Sequence, residues 1–143
     1  MSELPAVRGL VLAHGAFAEG IVDAVRQITG VGEEALGALS NQGCSPEALE
    51  DRIRAWLPDG GPAILFTDLL AGSCGVGARR VCRERDQVVV VSGINLALLL
   101  DFVLHRDMPL DELVPRLLAR GRAAVGCLPE RYGEDAHRAV SSR

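Results

Sequence analysis

The sequence predicts an α/β fold: a doubly wound, mainly parallel four-stranded sheet in the order 2-1-3-4, flanked by helices. Three observations predict it. Short apolar runs alternate with segments of helical period from the N-terminus to about residue 120, the signature of repeated βα units. Residues 88–91 are four consecutive valines, a β-branched run suited to a strand covered on both faces. The apolar runs end in His14-Gly15, Asp68 and Ser92-Gly93, polar or small residues of the kind found where open parallel sheets bind ligands.

In chain order, residues 6–13 read as the first strand, after which Phe17, Ile21, Ala24, Val25 and Ile28 recur at helical spacing. That helix stops near Gly30. Residues 36–40 form a weaker second strand, and Ser45-Pro46-Glu47 supplies an N-cap, a first-turn proline and an early acid for a helix reaching about Leu57. The turn cluster at residues 58–62 precedes a buried third strand, 63–67, which delivers Asp68 at its end. Gly72 and Ser73 open the next helix. Residues 87–92 are the fourth strand, and Asn95 caps the apolar helix that follows. Met108-Pro109-Leu110-Asp111 starts another helix running to about Arg120, with Pro115 predicting a kink or a late start. Residues 123–128 are the candidate for an extra C-terminal strand, and residues 129–143 read as a charged tail.

The 143 residues are enough for one core and too few for two ordinary domains. A net charge of −4 gives no concentrated basic face for nucleic acid or an acidic membrane. All 15 basic residues are arginine, so a lysine-dependent P-loop and Schiff-base chemistry are excluded. No apolar stretch of about twenty residues is present, and no signal-peptide pattern opens the chain; the expected compartment is the cytoplasm. Cys44, Cys74, Cys82 and Cys127 form no CxxC pair, and reduced thiols are expected there.

In the order 2-1-3-4, strands one and three are neighbours at the reversal of winding, so His14 faces Asp68. A carboxylate that accepts the N–H of one ring nitrogen fixes the tautomer in which the other presents its lone pair. Such a histidine suits nucleophilic attack on phosphorus, provided the acid sits behind the ring, away from the phosphoryl oxygens. Without lysine, donors to those oxygens are expected from backbone N–H groups at the Gly72-Ser73 turn, with one bond from the Ser73 hydroxyl. Gly15 lets a partner approach the ring closely.

The segment Gly9-Leu10-Val11-Leu12-Ala13-His14-Gly15 with Ala18-Glu19-Gly20, the segment Leu65-Phe66-Thr67-Asp68 with Ala71-Gly72-Ser73, and Ser92-Gly93-Ile94-Asn95-Leu96 before an apolar helix together resemble the mannose-family IIA components of the phosphoenolpyruvate-dependent sugar phosphotransferase system. The likeness covers about residues 6–125 and makes residues 1–128 the domain. It implies an acceptor histidine at His14, charged by an HPr-like phosphocarrier and discharged to a separate IIB protein, with Asp68 orienting the ring. It also implies a homodimer in which a C-terminal strand, here residues 123–128, crosses to the partner. No cofactor, metal, nucleic acid or membrane insertion is implied. The loop after Asp68 departs from the pattern: sugar-transporting members carry a threonine, an aromatic residue and a proline where this chain has Leu69, Leu70 and Cys74. That departure supports an alternative reading as a regulatory phosphoacceptor module. A third, the phosphocarrier subunit of dihydroxyacetone kinase, is disfavoured by Asp68.

Other residues receive plainer readings. His105 is a solvated or capping residue at a helix end, and His137 lies in the tail. Cys74 is a redox handle or a metal ligand with His14 and Asp68, but zinc takes three or four protein ligands and no fourth is evident. Alternating charges around Arg79, Arg80, Arg83 and Arg85 read as a wet helix face.

Overall fold

The structure, a computed structural model, describes residues 5–133. His137 and the rest of the tail beyond residue 133 lie outside the described residues. Four strands, β1 (Arg8–Ala13), β2 (Leu36–Ser40), β3 (Ala63–Thr67) and β4 (Val88–Ser92), form one sheet. Its order is β2-β1-β3-β4 and every pairing is parallel. Helices α1 (Phe17–Thr29) and α2 (Pro46–Trp56) make the first two crossovers, and α3 (Gly72–Cys82) joins β3 to β4. Helices α4 (Leu96–Leu104) and α5 (Leu110–Ala123) follow, then a single turn, α6 (Glu130–Gly133).

Alternation along the strands divides the interior in two, because successive side chains point to opposite faces. Val11, Ala13, Ile64, Phe66 and Val91 pack with Val22, Val25, Leu99, Phe102 and Leu113 of α1, α4 and α5. Leu10, Leu12, Ala63, Leu65 and Val88 pack on the other face with Leu49, Ile53, Ala78 and Val81 of α2 and α3. The chain winds outward from β1 to β2, then returns past β1 to β3, and this reversal puts α1 and α2 on opposite faces. Phe66 meets Phe102 edge to face at 5.0 Å, a contact of about 0.5–1.5 kcal/mol beyond area burial. Residues 89 and 90 of the valine run are only partly buried, because β4 is an edge strand.

Two helix starts are capped as the sequence predicts. The Ser45 hydroxyl accepts the Ala48 N–H at 3.1 Å, and Asn95 Oδ1 accepts the Leu98 N–H at 3.0 Å. His105 ends α4, its Nδ1 lying 2.9 Å from the Asp101 carbonyl. Asp101 is buried and takes a two-pronged contact from Arg116 at 2.9 and 3.2 Å, tying α4 to α5. Arg80 of the arginine run meets Glu50 at 3.3 Å, and Glu84 is held by Arg54 of α2 at 2.7 Å, so this helix face is knitted to its neighbour.

The C-terminal region differs from expectation at two points. Pro115 sits inside α5 and does not delay its start; its missing N–H falls in the second turn, and Leu113 and Leu117 on either side are fully buried, so packing sustains the helix. Residues 123–128 pair with no strand of their own chain among the described residues: α5 continues to Ala123, ending with Arg120 and Arg122 where cations favour a helix C-terminus. Val125 and Leu128 beyond it are exposed.

Candidate functional site

His14 follows the last residue of β1 and Asp68 the last residue of β3, and the register that sets Leu12 opposite Thr67 brings the two side chains together. His14 Nδ1 lies 2.9 Å from Asp68 Oδ2. The same oxygen accepts the His14 backbone N–H at 3.0 Å, while Asp68 Oδ1 accepts the Leu69 N–H at 2.9 Å. Burial by itself would raise the Asp68 pKa, but the hydrogen bonds from the His14 backbone, the His14 ring and the Leu69 N–H outweigh it and hold the carboxyl below the usual aspartate range. An ionised carboxylate only accepts, so the proton of the neutral ring sits on Nδ1 and the Nε2 lone pair is free. The imidazole is 42% exposed and the carboxylate behind it 17%, so the acid is shielded while the ring is reachable from outside.

Nε2 faces the start of α3. Gly72 has φ +90°, a conformation side chains rarely adopt, and a Cβ there would stand 3.3 Å from Nε2. Ala71 at the N-cap makes no side-chain cap bond, which leaves first-turn N–H groups without a capping side chain, beside the ring nitrogen. Gly15 has φ +57° with open space around its Cβ position, so its backbone conformation demands glycine and the space suits close approach.

The end of β2 also belongs to this site, which strand-end reasoning applied only to strands one, three and four had missed. Asn41 Nδ2 donates to Ser73 Oγ at 3.3 Å, and the Asn41 backbone N–H donates to the Ala13 carbonyl at 3.2 Å. Ser40 Oγ donates to the Gly15 carbonyl at 2.8 Å. The signal was present: β2 neighbours β1, so its carboxyl end had to arrive beside His14. Ser92 and Gly93, by contrast, face a separate depression of about 230 Å³ with Leu98, Gly121 and Arg122. Asn95 there is consumed by its capping bond and by donating to the Gly121 carbonyl at 2.9 Å.

Two larger cavities, about 550 and 610 Å³, lie at the amino ends of the strands, against Gly61, Pro62 and Met108 and against Arg8, Trp56 and Pro58. Around His14 the apolar surface stands outward: Leu69 is 59% exposed and Leu70 50%, a rim suited to another protein. Cys74, in the first turn of α3, is fully buried. Its sulfur, a His14 ring nitrogen and an Asp68 oxygen all lie within 4.8 Å of one another. Burial, then the negative Asp68, pushes the Cys74 thiol up to about 11. Because alkylation needs an accessible thiolate, iodoacetamide at pH 7.5 (roughly one unit below an ordinary thiol) should modify exposed Cys127 and spare Cys74, as peptide mass mapping will read.

A family model described as PTS system fructose IIA component matches residues 9–117. No curated protein matches this sequence. Among solved structures, phosphotransferase system component EIIA from Streptococcus agalactiae is 24% identical, covering 86% of this chain and 98% of its own, with a TM-score of 0.80. The mannose/sorbose specific IIA subunit from Enterococcus faecalis is 22% identical over 87% and 96%, TM-score 0.76. A PTS IIA protein associated with the fucose utilization operon of Streptococcus pneumoniae is 23% identical over 92% and 99%, TM-score 0.76.

Proposed function

This chain belongs to the family of PTS system fructose IIA components, and from that premise we propose that it carries a phosphoryl group on His14 Nε2, received from an HPr-like phosphocarrier and passed to a separate IIB protein of a mannose-type system. The observation that carries this reading is the 2.9 Å contact between His14 Nδ1 and Asp68, with the opposite ring nitrogen turned to the uncapped start of α3.

The transfer is an in-line displacement. The Nε2 lone pair forms the new N–P bond as the P–N bond of the donor phosphohistidine breaks, its electron pair returning to the donor ring. His14 becomes a cationic phosphoimidazole with its proton still on Nδ1, and Asp68 stabilises that charge from the far edge. Equatorial oxygens, negative in a loose transition state, take N–H bonds from the start of α3 and one from Ser73. Onward transfer reverses these roles.

Incubation with phosphoenolpyruvate, enzyme I and HPr should give an acid-labile, base-stable phosphate that peptide sequencing by mass spectrometry maps to His14. No incorporation, or a phosphate on another residue, overturns the assignment. Asn41, by donating to Ser73 Oγ, occupies a lone pair of that oxygen and leaves the hydroxyl proton available to an acceptor such as the phosphoryl group. Asn41→Ala should therefore slow labelling roughly 2- to 10-fold, the worth of one hydrogen bond of about 0.5–1.5 kcal/mol, in a quench-flow or filter-binding time course.

The exposed Leu69 and Leu70 beside the site favour a second reading, a regulatory module whose partner docks according to the charge on His14. Onward transfer to a purified IIB protein supports the first reading, and phosphorylation-dependent capture of a non-transport partner the second. The acting domain is residues 1–128, with 129–143 an accessory tail; the reading also makes the compartment the cytoplasm and the working form a homodimer, which light scattering tests.

A further inference from the structure

Cys74 takes no part in the phosphoryl chemistry above, yet it lies in the middle of it. The Cys44 and Cys82 thiols reach backbone carbonyls, Gln42 at 3.7 Å and Val88 at 2.9 Å. The polar neighbours of the Cys74 sulfur include the site itself, Asp68, the Ser73 hydroxyl and the His14 ring, with the Cys44 thiol also close enough to act on it. Imidazole nitrogen, carboxylate oxygen and thiolate sulfur converge there within 4.8 Å. This mixed set suits a borderline-soft ion of the zinc type, and three protein donors with one open position is a recurrent zinc arrangement.

We propose that His14, Asp68 and Cys74 form a Zn²⁺ site whose occupation excludes phosphorylation of His14. The charges cancel: one thiolate and one carboxylate neutralise a divalent ion, which matters because Cys74 is fully buried and the positive end of α3 adjoins the site. Tetrahedral bond lengths set donor pairs about 3.4–3.6 Å apart, so the widest pair has to close by roughly 1 Å. Asp68 is clamped by the N–H groups of His14 and Leu69, and Cys74 by the core. The 42% exposed imidazole is the member with room to turn. As the Zn–S bond forms, the thiol proton passes to solvent; His14 and Asp68 supply lone pairs, and nothing is oxidised or reduced. An imidazole turned into the metal no longer offers its lone pair to phosphorus. Metal binding stands on geometry alone, while its antagonism to phosphate rests on the function proposed above.

The test titrates the untagged, metal-free full chain with Co²⁺ as a spectroscopic substitute. The expected result is one equivalent bound, a thiolate-to-cobalt charge-transfer band, and displacement by Zn²⁺. The band should vanish in Cys74→Ser and in His14→Ala, each checked by circular dichroism for native fold, and persist in Cys44→Ser and Cys127→Ser. Absence of the band, or its survival in Cys74→Ser, overturns the site. In a second arm, isolated phospho-HPr is the donor. Zn²⁺ at one equivalent should cut wild-type labelling at least 10-fold, whereas Cys74→Ser should label equally with and without it; equal labelling of the wild type overturns the antagonism. A cobalt band with the right residue dependence in a protein that accepts no phosphate even without metal would uphold the site and sink the phosphocarrier reading instead.

Discussion

A His14→Ala protein should incorporate no phosphate, and Asp68→Asn should incorporate it about 10–100-fold more slowly, the usual loss when a group orienting a reactive histidine is removed. The asparagine is the sharper test. Asp68 accepts three N–H groups through two oxygens, and an amide has one acceptor oxygen for all of them. If that oxygen takes the Oδ1 place and stays with the Leu69 N–H, the amide nitrogen takes the Oδ2 place beside the ring, donates to Nδ1 and drives the ring proton to Nε2, the atom proposed to attack. Rate and tautomer therefore change together, which ¹⁵N shifts of the imidazole can follow. Stability carries a second signature. Because the Asp68 carboxyl is held below its ordinary range, its ionised form contributes stability that is complete above the unfolded-state pKa and lost as pH falls through the lower native value. The difference in unfolding free energy between wild type and Asp68→Asn should be flat near neutrality and shrink in acid, below the ordinary aspartate range. A rate within twofold of wild type would remove Asp68 from the mechanism.

Gly75→Ala should be the most damaging of the glycine-to-alanine changes. A Cβ there would lie 1.8 Å from the Leu70 carbonyl oxygen and 2.5 Å from its carbon. Both are backbone atoms of the loop that joins Asp68 to α3, and neither can rotate away. The first turn of α3 has to shift, at a cost near the upper end of overpacking, about 3 kcal/mol, or roughly 10 °C in melting temperature for a domain of this size. Labelling should fall as well, because the same shift moves Gly72 away from Nε2. Gly20→Ala is the matched control: it lies within α1 with nothing within 4 Å of the added carbon, and should stabilise by about 0.5–1 kcal/mol. Equal melting temperatures for the two variants would contradict the close approach at Gly75.

The parts of this fold legible in the sequence are those written in local chemistry. Residues 36–40 and 63–67 emerge as strands with the predicted limits because turn residues bound each run. Ser45 and Asn95 announce α2 and α4 because a cap acts within three residues. The pairing of His14 with Asp68 was readable once the order 2-1-3-4 was inferred, because that order makes β1 and β3 neighbours. What was not legible depends on packing across distance. Pro115 reads as a kink or a late start, yet α5 begins at Leu110, before it, with Leu113 and Leu117 buried on either side. Residues 123–128 read as a strand by composition, but pairing needs a neighbour that composition cannot supply. Asn41 follows a weak strand and belongs to no motif; only the arrival of β2 beside β1 gives it Ser73 as a partner.

The two residues that meet behind the ring are separated by 54 positions, and they meet only once the third strand has docked against the first in mid-sheet. On the proposed mechanism, a nascent polypeptide released short of that point would take up no phosphate however helical it became. After dilution from urea, regained phosphate uptake should consequently lag the return of helical ellipticity and keep time with assembly of the sheet's interior, giving a kinetic readout of long-range order that spectroscopy of the backbone does not offer.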